Sequence, residues 1–205
     1  MSTRGRLFVI TAPSGAGKTS LVRALMAADP TLAHSVSYTT RKPRPGEVEG
    51  KDYHFVSKAE FERMLAAAAF LEQAEVFDNR YGTARAQVEA FMAAGRDAIL
   101  EIDWQGARHV RQAMPACVSV FILPPSRAAL EHRLEARGTD SAEVIARRLR
   151  DAVADMGHWA EADFVVVNDD FERALTDLRA VIAGRGAELR RDRAELKPLV
   201  AALLA

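Results

Sequence analysis

The chain has 205 residues, 49% of them hydrophobic, and its 28 basic residues balance 28 acidic ones. That length suits one α/β domain with room for an insertion, and a formal charge of zero excludes the global field that draws a protein to nucleic acid or to an anionic membrane. No apolar run approaches the roughly 20 residues of a membrane-spanning helix, and Met1-Ser-Thr-Arg-Gly-Arg6 lacks the apolar centre of a secretory signal, so a cytoplasmic protein is expected.

The first element is an apolar strand at Leu7 to Thr11, and Ala12-Pro13-Ser14-Gly15-Ala16-Gly17-Lys18-Thr19 follows it directly. A strand that enters a glycine-containing turn ending in Gly-Lys-Thr, and then the helical pattern from Ser20 to Met26, builds a seat for a nucleoside triphosphate. Backbone N–H groups and the helix N-terminus cradle the phosphates, Lys18 reaches the outer ones, and the Thr19 hydroxyl ligates Mg²⁺. Ala12 stands where the usual pattern has its first glycine. A small side chain is tolerated there if φ stays negative, whereas Gly15 and Gly17 are expected where the backbone approaches the phosphates.

Between the first helix and Asp97 the pattern changes. Ser35 to Thr40, Asp52 to Val56 and Phe70 to Phe77 are short strand candidates, separated by turn signals at Pro43, Pro45 and Gly46 and by a helix with Ser57 at its N-cap and Glu60 three residues on. Residues 33–90 therefore read as an inserted subdomain. Apolar runs at Asp97 to Ile102, Val118 to Leu123 and Phe164 to Val167, each followed by helical spacing, continue a parallel sheet covered on both faces. The fold class is α/β: a three-layer parallel-sheet core of the P-loop type, an inserted mixed α+β subdomain and a short helical lid.

The lid is expected at Arg137-Gly-Thr-Asp140, between a helix over Arg127 to Ala136 and another starting near Ser141, with Arg133, Arg147 and Arg148 beside it. After Phe171 one long helical pattern runs to about Arg193, followed by an apolar tail from Leu196 to Ala205 broken at Pro198. The alanine run at Ala66 to Ala69 reads as helix-favouring. Cys117, the only cysteine, lies in an apolar stretch, excludes an intrachain disulfide and reads as a buried thiol.

Ser37-Tyr-Thr-Thr-Arg41-Lys-Pro-Arg44-Pro-Gly46 sets two arginines on a proline-stiffened loop, and Tyr53 and Tyr81 follow. Guanidinium and phenol groups converging on one point suit a phosphate monoester. These pieces stand in order with Gly50-x-Asp52-Tyr53-x-Phe55, Glu72, Tyr81-Gly82-Thr83, Glu101-Ile-Asp103-x-Gln105-Gly106, Arg137-Gly138-Thr139 and Asn168-Asp169. Together with the loop at Ala12 to Thr19, that series resembles the guanylate kinase family from about Gly5 to Gly184.

The resemblance implies γ-phosphoryl transfer from ATP to GMP, with dGMP as a further acceptor, in purine nucleotide metabolism, with Mg²⁺ as cofactor. It implies a core of residues 5–32, 91–130 and 160–184, a GMP-binding subdomain of 33–90, a lid region of 131–159 and a separate tail of 185–205. Carried over residue by residue, Arg41, Arg44, Tyr53 and Tyr81 hold the GMP phosphate, and Ser37, Glu72 and Thr83 face the guanine. A carboxylate at Glu72 accepts from N1–H and the 2-amino group, which AMP does not offer. Glu101 and Asp103 end an apolar strand and act at the junction of acceptor and metal, Asp103 through water; a plain helix cap at Asp103 is the other reading. Lys18 follows the moving charge, and Arg137, Arg148 and Arg133 close from the lid to neutralise it. Asn168 either contacts adenine or caps a helix. The substrates are small molecules, ATP and GMP, with no nucleic-acid or membrane partner, and monomer and homo-oligomer both stay open. A phosphopeptide-binding module and a regulatory GTPase are the rival classes; the intact Gly17-Lys18-Thr19 speaks against the first and the missing Asn-Lys-x-Asp motif against the second.

Overall fold

The computed structural model describes residues 4–76, 78–136 and 142–205. In chain order its elements are β1 (Leu7–Thr11), α1 (Lys18–Ala28), β2 (Ala33–His34), β3 (Tyr38–Thr39), β4 (His54–Phe55), α2 (Lys58–Ala66), β5 (Phe70–Val76), β6 (Asn79–Ala84) and α3 (Arg85–Ala93). There follow β7 (Ala98–Glu101), α4 (Trp104–Ala113), β8 (Val118–Leu123), α5 (Arg127–Glu135), α6 (Ala142–Met156), β9 (Phe164–Val167), α7 (Phe171–Ile182) and α8 (Leu196–Leu204). The chain forms two compact units, one of residues up to Val9 with Pro30–Cys117, the other of Ile10–Asp29 with Val118–Ala205.

In the first unit β2, β7 and the opening residues of β1 lie side by side, β2 and β7 parallel with Ala33 opposite Ala98. Leu7, Val9, Ala98 and Leu100 bury one face of these strands against Val88 of α3 and Val110 of α4, with Cys117 in the same cluster. A second sheet has the order β4-β3-β6-β5. Within the strand candidates Ser35 to Thr40 and Asp52 to Val56, Tyr38–Thr39 pairs with His54–Phe55 in parallel. β6, whose Asn79-Arg-Tyr-Gly-Thr-Ala84 has no apolar face of its own, is held between β3 and β5 by antiparallel ladders on both sides.

Ser57 caps α2 as expected, its hydroxyl accepting from the Glu60 N–H at 3.1 Å. The alanine run, however, ends this helix instead of extending it. Ala68 takes φ +51°, the Ala69 N–H reaches Met64 O and the Ala68 N–H reaches Leu65 O, the bonds of a left-handed helix stop.

In the second unit the last residues of β1 adjoin β8, and β8 runs parallel to β9 with Val120 opposite Phe164 and Leu123 opposite Val167. The core here joins Phe121, Leu123 and Val165 to Leu130 and Leu134 of α5 and Ala152 and Met156 of α6. The single helix expected from Phe171 to Arg193 stops at Ile182. Gly184, at φ +73°, closes α7 with bonds from its own N–H to Val181 O and from the Arg185 N–H to Ala180 O. The segment beyond it lies along β9, where Arg190 bridges Phe164 and the Arg193 guanidinium donates to Val165 O at 2.9 Å. Pro198 does not break the tail either. It sits in the first turn of α8, where a missing N–H leaves no helical bond unmade, and Leu196, Val200 and Leu203 of that helix are buried.

Candidate functional site

The loop after β1 belongs to the second unit. Its turn closes with a bond from the Ala16 N–H to Pro13 O at 3.2 Å. Gly15 and Gly17 both lie in the left-handed region, at φ +88° and +93°, while Ala12 does not. The glycines were expected for the sake of a phosphate, but the protein itself also excludes side chains there. A Cβ on Gly15 comes within 2.9 Å of Leu130 Cδ1, and one on Gly17 within 2.3 Å of Asn168 Nδ2. Gly17 is the N-cap of α1 and no side chain caps that helix. The end that carries the helix's partial positive charge is thus the end the loop wraps.

Asn168 is 4% exposed, and its amide donates to Ala16 O at 2.7 Å. It is not a helix cap: Asp170 caps α7 by accepting the Arg173 N–H at 2.8 Å. The backbone oxygen of Asn168 accepts from Arg133 Nη2 at 2.8 Å, and Arg133 Nη1 is buried with no hydrogen-bond partner among the described residues. An orphaned guanidinium nitrogen in the unit that holds the loop suits an anionic ligand. Lys18 is half-buried, Thr19 is exposed, and Arg148 is half-buried on α6. Arg137, Gly138, Thr139 and Asp140 of the expected lid lie outside the described residues.

The first unit gathers the residues expected at the acceptor site. Arg44-Pro45-Gly46-Glu47 forms a turn closed by the Glu47 N–H on Arg44 O at 3.0 Å, with Gly46 at φ +86°, the geometry that proline and glycine in the middle positions specify. The turn brings Glu47 back onto Arg41, whose Nη1 and Nη2 donate to its two carboxylate oxygens at 3.0 and 2.8 Å. The Arg41 guanidinium lies 5.3 Å from the Tyr53 ring centre, and the Tyr53 and Tyr81 rings are 5.9 Å apart. Arg41, Tyr53 and Tyr81 therefore share one corner, with exposed Arg44 on the same turn. Burial raises the Tyr53 phenol to about 12, and the charge of Glu101 adds to the shift.

Strand register assembles the rest. Tyr38 lies opposite Gly82, which places Ser37 across from Thr83, and Thr83 lies opposite Glu72 on β5. Ser37, Thr83 and Glu72 thus form one row across three strands. Thr83 Oγ1 donates to Glu72 Oε1 at 2.6 Å and lies 3.5 Å from Ser37 Oγ. All three are buried, Glu72 to 5% exposure. Tyr81, two residues before Thr83 on β6, points to the same face roughly 7 Å along the strand. Asp103 is the N-cap of α4, its Oδ1 accepting the Gly106 N–H at 2.7 Å. That bond satisfies the capping reading for one oxygen and leaves the other for further contacts. Glu47 and Gly106 stand inside the sequence motifs, yet their partners, Arg41 and Glu72, appear only in three dimensions.

Among the described residues no three His, Cys, Asp or Glu side chains cluster as metal ligands.

The guanylate kinase family model matches residues 4–185. The guanylate kinase of Methylococcus capsulatus is 62% identical over 202 residues, covering 98% of this chain and 99% of its own. That of Escherichia coli K12 is 51% identical over 204 residues, with the same coverage. The crystal structure of guanylate kinase from Anaplasma phagocytophilum superposes with a TM-score of 0.76 at 34% identity, over 91% of this chain and 88% of that one.

Proposed function

Because the chain belongs to the guanylate kinase family, we propose that it transfers the γ-phosphoryl group of ATP to GMP, with the residues described above in the roles that follow. The loop from Ala12 to Thr19 and Arg133 bind ATP; Arg41, Arg44, Tyr53 and Tyr81 bind the GMP phosphate; Ser37, Thr83 and Glu72 bind the guanine. The observation that carries this reading is the buried row Ser37–Thr83–Glu72, in which a carboxylate and two hydroxyls face one side of a sheet. A guanine offers N1–H and a 2-amino group to the carboxylate and O6 to the Ser37 hydroxyl, Thr83 holding the carboxylate in place, while adenine offers neither donor there. With adenine the buried carboxylate forgoes both of these donors, at about 1–3 kcal/mol or more for a charged group, which sets the preference.

An oxygen of the GMP phosphate forms the new bond to the γ-phosphorus as the bond from that phosphorus to the bridging oxygen of ADP breaks. The acceptor oxygen is already anionic, so no strong base is needed, and the work of the protein is positioning and charge stabilisation. Lys18 follows the transferred group, Arg41 orients the acceptor, and Arg133, Arg137 and Arg148 neutralise developing charge. Mg²⁺ bound by Thr19, with Asp103 reaching it through water, supplies neutralisation of the ATP phosphates. Asn168 serves the ATP site by fixing the loop at Ala16. Residues 33–90 act as the acceptor subdomain and 131–159 as the lid, and dGMP is a second acceptor. No helix among the described residues is long and apolar enough to cross a membrane, in keeping with a cytoplasmic place in purine nucleotide metabolism.

A coupled assay of ADP formation tests the proposal. ATP turnover demanding GMP, and weak with AMP or CMP, is expected, and Lys18→Ala abolishes it while GMP still binds. ADP formation that is independent of GMP, or equally fast with AMP, overturns the reading.

A further inference from the structure

Gly106 is the third residue of α4 and is buried. Its φ lies outside the left-handed region, so the backbone does not require glycine. Alanine there would favour the helix. What excludes a side chain is a neighbour on β5: a Cβ on Gly106 comes within 2.6 Å of Glu72 Oε2 and 3.1 Å of Glu72 Cδ, with Ile102 Cδ1 next at 3.3 Å. The other carboxylate oxygen of Glu72 is held by Thr83 Oγ1 at 2.6 Å. The carboxylate therefore cannot give way to a methyl group without shifting against Thr83.

We propose that Gly106 is a specificity-determining residue for the purine base. Its missing side chain is the space that lets the Glu72 carboxylate stand where it accepts both N1–H and the 2-amino group of guanine. This rests on the assignment of Glu72 to the guanine in the proposed function. Inosine monophosphate keeps N1–H and lacks the 2-amino group, so the ratio of kcat/KM for GMP over IMP reads the second hydrogen bond directly. Gly106→Ala moves the carboxylate, and with it the one contact that distinguishes these two acceptors.

The full chain and its Gly106→Ala, Glu72→Gln, Glu72→Asp and Glu72→Asp/Gly106→Ala variants are assayed with saturating ATP against GMP and IMP. Gly106→Ala is expected to lower kcat/KM for GMP about tenfold or more and for IMP less than about threefold, with KM for ATP unchanged within about twofold. Its Tm is measured alongside, since the gain in helix propensity is opposed by the displacement of a buried carboxylate held by Thr83. In the Glu72→Asp background the shorter acid clears the new methyl group, so adding Gly106→Ala changes kcat/KM for GMP by less than about threefold. That pair also supplies the readout if Gly106→Ala alone does not fold.

A parental GMP-to-IMP ratio in Glu72→Gln overturns the assignment of Glu72 itself. A collapsed ratio in Glu72→Gln beside a parental ratio in Gly106→Ala overturns the role of Gly106 alone. An equal loss from Gly106→Ala in the parental and Glu72→Asp backgrounds does the same, since the effect then does not run through the carboxylate.

Discussion

Arg41 and Glu47 meet fork to fork, Nη1 and Nη2 each donating to one carboxylate oxygen, with side chains only 13% and 18% exposed. Glu47 also accepts the Arg44 N–H at 2.7 Å, so one acid fixes the aim of one arginine proposed to bind the GMP phosphate and the backbone of the other. Burial alone would raise the Glu47 carboxyl, but the hydrogen bonds from Arg41 and Arg44 outweigh it and hold the group below the ordinary carboxylate value. Glu47→Gln keeps the shape and removes the charge. The expected result is a KM for GMP raised about tenfold, with KM for ATP within about twofold, because Arg41 loses its orientation. Stability falls by about 1–2 kcal/mol, read as a shift of the urea midpoint. A carboxyl lowered on folding contributes stability above its unfolded value, and that contribution is lost as pH falls through the folded value. The acid unfolding curve of the variant therefore loses that part of its slope. A parental KM for GMP contradicts the positioning role.

Asn168 is the lock behind the ATP loop. Its amide occupies the space a side chain at Gly17 would need and donates to Ala16 O. Asn168→Ala leaves that carbonyl without this donor and opens a small void under the turn. KM for ATP rises about tenfold while KM for GMP changes less than about twofold. Equal effects on the two substrates, read by steady-state kinetics with each varied in turn, would count against a role confined to the loop.

The parts of the fold that were legible in the sequence are those whose signal is local. β1 is a run of residues buried on both faces and therefore reads as continuous apolar sequence. Ser57 and Glu60 announce the start of α2 through chemistry within one turn. β6 was illegible because Asn79 to Ala84 carries no apolar face and owes its existence to β3 and β5. The stop at Gly184 was hidden by apolar spacing that resumes at Leu189 and Leu196, although Gly184 and Gly186 in sequence signal it. Residue types at the site were legible through motif order. The roles of Glu47 and Gly106 and the bond from Asn168 to Ala16 were not legible, because they depend on partners 6, 34 and 152 residues away.

Tyr53 couples the acceptor corner to alkaline pH. Its phenol stands at about 12 in the folded chain against an ordinary value of 10, chiefly through burial. The neutral form is thus favoured by folding, and the sign is opposite to that of Glu47. The stabilisation is complete below pH 10 and is lost as pH rises from there toward the folded value, an effect of about 2–3 kcal/mol at most. Tyr53→Phe removes the titration. Its unfolding free energy is expected to fall less steeply between about pH 10 and 12 than that of the parent, and its KM for GMP is higher at neutral pH because one phosphate donor is gone. Parallel alkaline unfolding curves for the two proteins would show that Tyr53 does not titrate as its burial requires.

Ala68 holds a left-handed conformation, φ +51°, at the stop of α2, where α3 and α7 use Gly95 at +77° and Gly184 at +73°. The three stops share one bond pattern: Ala69 to Met64, Arg96 to Phe91 and Arg185 to Ala180. Only the first strains a Cβ against the following carbonyl, a cost of about 1–2 kcal/mol. Ala68→Gly relieves it but gives the unfolded chain more freedom, which takes back about 0.4–1 kcal/mol. The net is a stabilisation of about 0.5–1 kcal/mol, seen as a higher Tm with kcat and both KM values unchanged. Ala68 is exposed and bonded only through its backbone in this turn, so no lost packing offsets the gain. A lower Tm for Ala68→Gly would mean that entropy of the unfolded chain outweighs the strain at this stop.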